Sequence, residues 1–165
     1  MIKKINEEIL WNAFENTSGE RFNVYRISNN FVAKFTNRTK ISLEEECEKQ
    51  KIIHLEGISS PKPLGIFELP FPETFCAMKK GGIYSAFVME YIEGDIINSL
   101  KEDKKHYERA LELLKREQIR AEILGFNLKD SSSINAMYSK KKDKIYLIDF
   151  EEWKIPNLYK SKIIL

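Results

Sequence analysis

The chain has 165 residues, of which 42% are hydrophobic and 12% aromatic, a composition typical of a globular domain and not of a disordered chain. Its 27 basic and 25 acidic residues leave a formal charge of only +2, which gives no electrostatic reason to expect direct nucleic-acid binding. The longest apolar runs are too short to span a bilayer, and two cysteines are too few for a disulfide framework, so we expect a cytoplasmic protein with no membrane segment.

The first half of the chain alternates helical and strand-like patterns. In chain order, these patterns predict a helix over residues 5–15, strands Phe22–Ser28 and Phe31–Thr36, a helix Ser42–Leu55, and strands Leu64–Leu69 and Tyr84–Tyr91. The second helix starts with a capping-box pattern, Ser42 with Glu45 three positions later, and Gly57 lies just past its end. The last strand is continuously apolar, which is typical of a strand buried on both faces.

One long amphipathic helix dominates the second half. The patterns predict a short helix Ile96–Lys101, the long helix Tyr107–Leu124, and a hairpin of strands Ile134–Tyr138 and Lys144–Ile148. We expect the buried side of the long helix to carry Leu111, Leu114, Ile119 and Ile123. Gly125 is predicted to end it. The fold class is therefore α+β, with a waist expected near residues 91–95.

Four polar features follow one another along these elements. Lys34 ends the apolar run Phe31-Val32-Ala33-Lys34, and four glutamates lie between residues 44 and 48 on the next helix. Asp130 precedes Asn135 by five residues, and Asp149 ends an apolar strand. Taken singly, a strand lysine, a glutamate run and an aspartate before three serines are typical of solvated surfaces and polar turns. The aspartate after a buried strand is harder to explain in this way, because burying a polar group without a partner is costly.

In this order and spacing, the Val-Ala-Lys, Asp-x4-Asn and Ile-Asp-Phe motifs resemble those of the protein-kinase-like superfamily, which includes protein kinases, small-molecule phosphotransferases and short archaeal kinases. The resemblance covers about residues 17–153. It implies one kinase-like domain over residues 1–165, in which a small antiparallel-sheet N-lobe with one long helix spans about residues 1–91. A truncated, mainly helical C-lobe would span about residues 92–165.

The resemblance implies that Lys34 binds the phosphates of ATP as a cation. A glutamate of the following helix would pair with Lys34 and aim its ammonium. Glu48 shares a helical face with Ile52 and Leu55 and is our choice for this partner, while Glu45, about one turn earlier, is the alternative.

The remaining roles are implied in the same way. Asp130 would orient the attacking hydroxyl or accept its proton. Asn135 and Asp149 would hold Mg²⁺, because a hard cation prefers oxygen ligands. The nucleotide would also be bound by the backbone of Glu90 and Ile92 and by the phosphate-covering loop at Gly19.

The chain departs from the family pattern at several positions. Gly19 is the one glycine left in the phosphate-covering loop, and Leu128 replaces the histidine that usually stands two residues before Asp130. The usual Asp-Phe-Gly reads Asp-Phe-Glu at residues 149–151, as in small-molecule kinases and short archaeal kinases. Because 14 residues follow Glu151 in a chain of 165, the chain is similar to the shortest members, such as the kinase of the KEOPS tRNA-modification complex.

The resemblance favours an ATP-dependent phosphotransferase, a minimal serine/threonine protein kinase that transfers the γ-phosphoryl group to a hydroxyl. Two alternatives stay open: a degenerate nucleotide-binding regulatory subunit, such as a pseudokinase or an ATPase partner, and a small-molecule kinase. A protein partner could bind at the truncated C-lobe. Nucleic acid would be contacted only indirectly if at all, with Lys140–Lys142 as the one basic tip. Lys34, its glutamate and Asp149 are expected to converge on one cleft.

Overall fold

A computed structural model describes residues 12–13, 22–36, 40–72 and 78–160. Its elements are strands β1 (Asn12–Ala13), β2 (Phe22–Arg26) and β3 (Phe31–Thr36), helix α1 (Lys40–Leu55), strands β4 (Pro63–Pro70), β5 (Ile83–Glu90) and β6 (Asp95–Ile96), a 3₁₀ turn (Ile97–Leu100), helix α2 (Lys104–Ile123), strands β7 (Ala136–Ser139) and β8 (Lys144–Leu147), and helix α3 (Asn157–Lys160). No helix in these ranges is long and apolar enough to cross a membrane.

The chain forms two compact units. The first comprises the described residues up to Cys47 together with Lys62–Tyr91, and the second comprises Glu48–Pro61 together with the described residues from Ile92 onwards. Residues 48–61 therefore group with the second half of the chain, although they lie before β4 in sequence. The assignment of these units to an N-lobe and a C-lobe stays a prediction.

The first unit is built on an antiparallel sheet, whose described strands lie in the order β1-β2-β3-β5-β4. One face is packed with aromatic side chains: the rings of Tyr25, Phe35 and Phe71 meet edge to face, with centroids 5.1–5.9 Å apart. The opposite face is covered by Leu43 and Cys47 of α1. Strand β5, which lies between β3 and β4, is buried on both faces over residues 86–89, which confirms the prediction from its apolar run.

Three predictions about the helices are wrong. Asn12–Ala13, within the helix predicted over residues 5–15, is a strand paired with β2. Strand pairing supplies hydrogen bonds that outweigh a weak local helix pattern. The rest of the predicted helix lies outside the described residues. Helix α1 begins at Lys40, so Ser42 is inside its first turn and not its cap. Helix α2 begins three residues before Tyr107, because Asp103 caps it by accepting the amide of His106.

The second unit packs α2 against the β7–β8 hairpin. On the buried side of α2, Ala110 and Ala121 are fully buried, and Leu114 lies between them. The predicted buried side is correct for Leu114 alone, since the other three members of that stripe are exposed, namely Leu111, Ile119 and Ile123. Alanines let a helix approach a sheet closely, so the most hydrophobic stripe of α2 is not the one that faces the core.

Helices α1 and α2 both end at a glycine, as predicted. Gly57 and Gly125 have φ of 76° and 84°, the left-handed region that costs glycine little. At each, the glycine amide and the next amide donate back to the last turn, as in the bonds from Gly125 to Glu122 O and from Phe126 to Ala121 O. This Schellman arrangement turns a buried apolar side chain, Ile58 or Phe126, into the core.

An ion pair ties α2 to the turn between β7 and β8. Asp143 has a φ of 44° and accepts hydrogen bonds from Arg109 Nη2 and Tyr138 Oη, each at 2.7 Å. The bonds from Arg109 and then Tyr138 lower the pKa of Asp143 from 3.8 to about 2. The carboxylate therefore stabilises the folded state fully above its unfolded-state pKa, and this contribution is lost as the pH falls through about 2.

Asp143→Asn tests this link, because asparagine keeps the tolerance for positive φ and removes only the charge. The thermal unfolding temperature of the variant should be below that of the wild type by a constant amount above about pH 5, and the gap should close between about pH 4 and pH 2. The matched control is Glu108→Gln, whose exposed pair with Lys104 has a 3.9 Å separation and should shift unfolding little at any pH. A gap that persists undiminished at pH 2 would contradict the assignment.

Candidate functional site

Lys34 is buried in the middle of the first unit's sheet. It lies on β3 opposite Val24 of β2 and Phe87 of β5, so it shares the sheet face that α1 covers. Its side chain is only 6% exposed. An ammonium group in such surroundings is costly unless an opposite charge and hydrogen bonds accompany it. The surface role that a strand lysine usually has is therefore excluded for Lys34.

Glu46 of α1 supplies the opposite charge. Its Oε1 lies 2.6 Å from Lys34 Nζ, and its side chain is 4% exposed. The prediction that Glu48 pairs with Lys34 is wrong, and so is the alternative, Glu45. Glu48 pairs instead with Lys51 at 2.5 Å, where both side chains are about 40% exposed (38% and 41%), and Glu45 is exposed.

The error came from choosing the wrong face of α1. The prediction placed Leu55 inward, but Leu55 is 81% exposed at the end of the helix. Ile52 is buried as predicted, but the regular spacing of three or four along the whole helix belongs to Leu43, Glu46, Gln50 and Ile53, with Cys47 buried beside them. This spacing could have identified Glu46, because it is the one glutamate of the run that lies between Leu43 and Gln50 on that face.

Asp130 and Asn135 lie on one loop of the second unit and are joined directly. Asn135 Nδ2 donates to the Asp130 carbonyl at 2.8 Å, and the Asn135 amide donates to Ser132 O at 3.0 Å. The loop is also held from α2, where Gln118 Nε2 donates to Ser131 Oγ at 3.1 Å. The Asp130 side chain is exposed. An exposed carboxylate on a loop held in this way can meet a hydroxyl group from another molecule.

Asp149 follows β8 and is attached to the same loop. The amide of Ile148, the residue before it, donates to Asn135 O at 3.0 Å. The Asp149 side chain is half-buried, and the next residue, Phe150, is fully buried with its ring against Trp153, at a centroid distance of 4.9 Å. Within the second unit, Asn135 is therefore hydrogen-bonded both to Asp130 and to the residue before Asp149.

Asp130 and Asp149 both have an uncommon, left-handed backbone conformation. Within the described ranges, three residues other than glycine have positive φ: Asp130 at 57°, Asp149 at 61° and Asp143 at 44°. Left-handed backbone is uncommon for residues with a side chain, although aspartate tolerates it better than most. Such residues persist where surrounding contacts over-determine them, and they cluster at functional sites.

The donor atoms of Asn135 and Asp149 suit Mg²⁺. The Nδ2 of Asn135 is engaged with Asp130 O, which leaves its Oδ1 as an oxygen ligand, and Asp149 offers a carboxylate. In the described part of the chain, no cluster of three His, Cys, Asp or Glu side chains could hold a metal ion without help. Mg²⁺ commonly takes one or two protein oxygens and completes its shell with water and substrate phosphates, so the donor set fits that use.

The residues predicted to bind the nucleotide base lie at the end of β5 and just beyond it. The Glu90 amide donates to Lys62 O at 2.9 Å, and the Tyr91 amide to Asn30 O at 2.7 Å. The Ile92 side chain is buried, and its amide donates to no acceptor in the part of the chain that the structure describes. Gly19 lies outside the described residues. Binding of a nucleotide by these residues stays a prediction.

Two of the three lysines at the basic tip Lys140–Lys142 contact acidic side chains. Lys140 contacts Asp103 at 3.1 Å, and Lys141 contacts Glu93 at 3.4 Å. Lys142 donates to the Tyr146 hydroxyl at 3.4 Å. These contacts favour a structural role for the tip over phosphate binding.

No model of a known protein family matches the chain, and no curated protein matches it. Solved structures do match. A Stt7 homologue from Micromonas algae, soaked with ATP, aligns with a TM-score of 0.59 and 15% identity, over 89% of this chain and 50% of that one. The bifunctional kinase-methyltransferase WbdD aligns with a TM-score of 0.55 and 16% identity, over 94% of this chain and 36% of that one. WbdD with the kinase inhibitor LY294002 aligns with a TM-score of 0.53 and 18% identity, over 83% of this chain and 32% of that one.

At such low identity the likeness shows the fold alone, and the chain spans half or less of the length of these structures. The chain has a protein-kinase-like fold of mixed helices and antiparallel sheets, which confirms the fold predicted from its motifs. Similarity to short archaeal kinases or to the KEOPS kinase stays a prediction.

Glu46→Gln tests the Lys34 pair, because it removes the charge and keeps the shape. Losing one partner of a buried ion pair costs about 3–5 kcal/mol, so the free energy of unfolding in urea should fall by about this amount. The control Glu48→Gln, on the same helix, should change it by less than about 0.5 kcal/mol. Equal effects of the two variants would show that Glu46 has no special relation to Lys34.

Proposed function

We propose that the chain is an ATP-dependent phosphotransferase, a minimal serine/threonine protein kinase that transfers the γ-phosphoryl group of ATP to a hydroxyl. The observation that carries the proposal is the buried Lys34–Glu46 pair at 2.6 Å on the sheet of a kinase-like fold. A buried ion pair adds little net stability, so stability alone does not explain why Lys34 and Glu46 are buried together. Aiming a lysine at nucleotide phosphates is a use that would explain it.

In this proposal, Lys34 binds the α- and β-phosphates, while Glu46 fixes the direction of its ammonium group. Mg-ATP is the substrate, and its metal ion would be held by Asp149 and Asn135, where it neutralises charge on the phosphates. The backbone of Glu90 and Ile92 is proposed to bind the adenine.

Asp130 is proposed to accept the proton of the attacking hydroxyl or to orient that hydroxyl. The carboxylate oxygen of a general base must come within about 2.6–3.2 Å of the hydroxyl oxygen whose proton it takes, which an exposed carboxylate on a held loop can do. Leu128, at the position of the family's histidine, is half-buried and packs against the core of the second unit. It therefore supports the loop by packing, and the proposal needs no histidine there.

The solved structures that the chain resembles support the proposal of a kinase in general, without its substrate. WbdD is described as a kinase-methyltransferase, and the Stt7 homologue was soaked with ATP. A protein hydroxyl is our first choice of acceptor and a small molecule the second. A protein partner at the second unit, and likeness to short archaeal kinases and the KEOPS kinase, remain part of the proposal and come from the sequence resemblance.

Nucleotide binding is tested by calorimetry with ATP, with and without Mg²⁺. Lys34→Met should weaken binding under both conditions, because the phosphates lose their cation. Asp149→Asn should weaken Mg-ATP binding by at least about tenfold and leave metal-free ATP unaffected, because an amide attracts Mg²⁺ less than a carboxylate does. The exposed control Glu152→Gln should bind like the wild type. Absence of ATP binding by the wild type would refute the proposal.

Turnover is tested by autophosphorylation and by phosphoryl transfer to casein. Asp130→Asn should lower kcat by about 10²–10⁴-fold and leave the KM for ATP nearly unchanged, since general-base catalysis contributes that much to the chemical step. Full activity in this variant would show that Asp130 is not the base. Nucleotide binding by a wild type that lacks turnover would favour the regulatory binding module instead.

A further inference from the structure

Lys49 makes a contact that the roles above do not use. It lies on α1 three residues after Glu46, and its Nζ donates to the backbone carbonyl of Glu151 at 2.5 Å. The side chain is half-buried. The acceptor is a main-chain oxygen of the segment that directly follows Asp149 and Phe150. A hydrogen bond from a charged donor is roughly twice as strong as a neutral one, so this contact can restrain that segment.

The segment needs restraint because Asp149 has a φ of 61°. Backbone in this region costs of order 1–3 kcal/mol and relaxes unless neighbouring contacts hold it. Before Asp149, the Ile148 amide is bound to Asn135 O. After it, Phe150 is buried and its carbonyl accepts the Trp153 amide at 3.1 Å.

Those contacts come from the Asp130–Asn135 loop and from the segment itself. Lys49 is different, because it reaches the segment from helix α1. Lys49 belongs to the part of α1 that groups with the second unit, so within that unit the helix restrains the residues around the proposed metal ligand. A lysine suits this contact, since its compact ammonium can be directed at a single carbonyl, whereas an arginine presents a wide planar fork.

We propose that Lys49 is a positioning residue, which holds the Asp149–Glu151 segment against α1 in the backbone conformation that presents the Asp149 carboxylate to Mg²⁺. This inference rests on the proposed function in one respect, the metal-binding role of Asp149. The restraint of the segment does not depend on that role.

The chain offers a matched control. Lys51 lies two residues further along α1 and pairs with Glu48 at 2.5 Å on the helix surface. Lys49→Met and Lys51→Met remove the same charge and keep a similar side-chain volume, so a general effect of losing a lysine from α1 would appear in both. Lys49→Gln is the milder variant, to be measured in the same way if Lys49→Met does not fold.

The first measurement is amide hydrogen exchange of the nucleotide-free protein. The amides of Trp153 and Lys154 are hydrogen-bonded, to Phe150 O and Asn127 O. In Lys49→Met, exchange over residues 150–154 should be at least about tenfold faster, the effect of losing one hydrogen bond from a charged donor, with no change in the β2–β3 hairpin. Lys51→Met should exchange like the wild type. If exchange over residues 150–154 is the same in both variants, the proposal is overturned.

The second measurement separates positioning from a purely structural role. Lys49→Met should weaken Mg-ATP binding about tenfold and leave metal-free ATP binding unchanged, because only the metal ligand is displaced. Equal loss with and without Mg²⁺, or no loss at all, overturns the positioning role. If the wild type binds no ATP, the proposed function fails, and hydrogen exchange alone decides whether Lys49 restrains the segment.

Discussion

The ion pair between Lys34 and Glu46 constrains the first unit more than any other contact at the candidate site. Both side chains are buried, and removing two charges from water is repaid only when they meet at short distance. Helix α1 therefore has one acceptable rotation on the sheet. A turn of about one residue would move Glu46 away from Lys34 and would also uncover Leu43 and Cys47, which pack on the same face of the sheet.

Of the three described residues other than glycine that have positive φ, two are acids to which the resemblance gives roles, and the third is Asp143. Asp130 and Asp149 both have left-handed φ, and Asn135 is hydrogen-bonded to Asp130 on one side and to Ile148 on the other. A loop with such contacts fixes the backbone that carries these acids before any ligand arrives, which reduces the cost of ordering it on binding. The buried aromatic residue after Asp149 then ties that acid to the core of the second unit.

Fold and function have separate support in this protein. The solved structures establish a kinase-like fold, but one fold carries many activities, and the chain spans half or less of those structures. The proposed phosphotransferase activity therefore depends on side chains of each unit: a paired lysine in the first, and in the second two residues with oxygen donors suited to Mg²⁺ and an exposed aspartate. The same residues would also permit nucleotide binding without turnover, which is why binding and chemistry need separate experiments.

From the sequence alone, local signals determined most strands, both glycine helix ends and the motifs at Lys34, Asp130 and Asp149, since each depends on neighbours within a few positions. Only the tertiary structure decided which glutamate meets Lys34, which stripe of α2 is buried, and that Lys49 reaches the Glu151 carbonyl. A glutamate run or an apolar stripe offers several helix rotations of similar local energy. The choice among them is made by burial and charge pairing between residues distant in sequence, and the spacing of residues along a helix only narrows that choice.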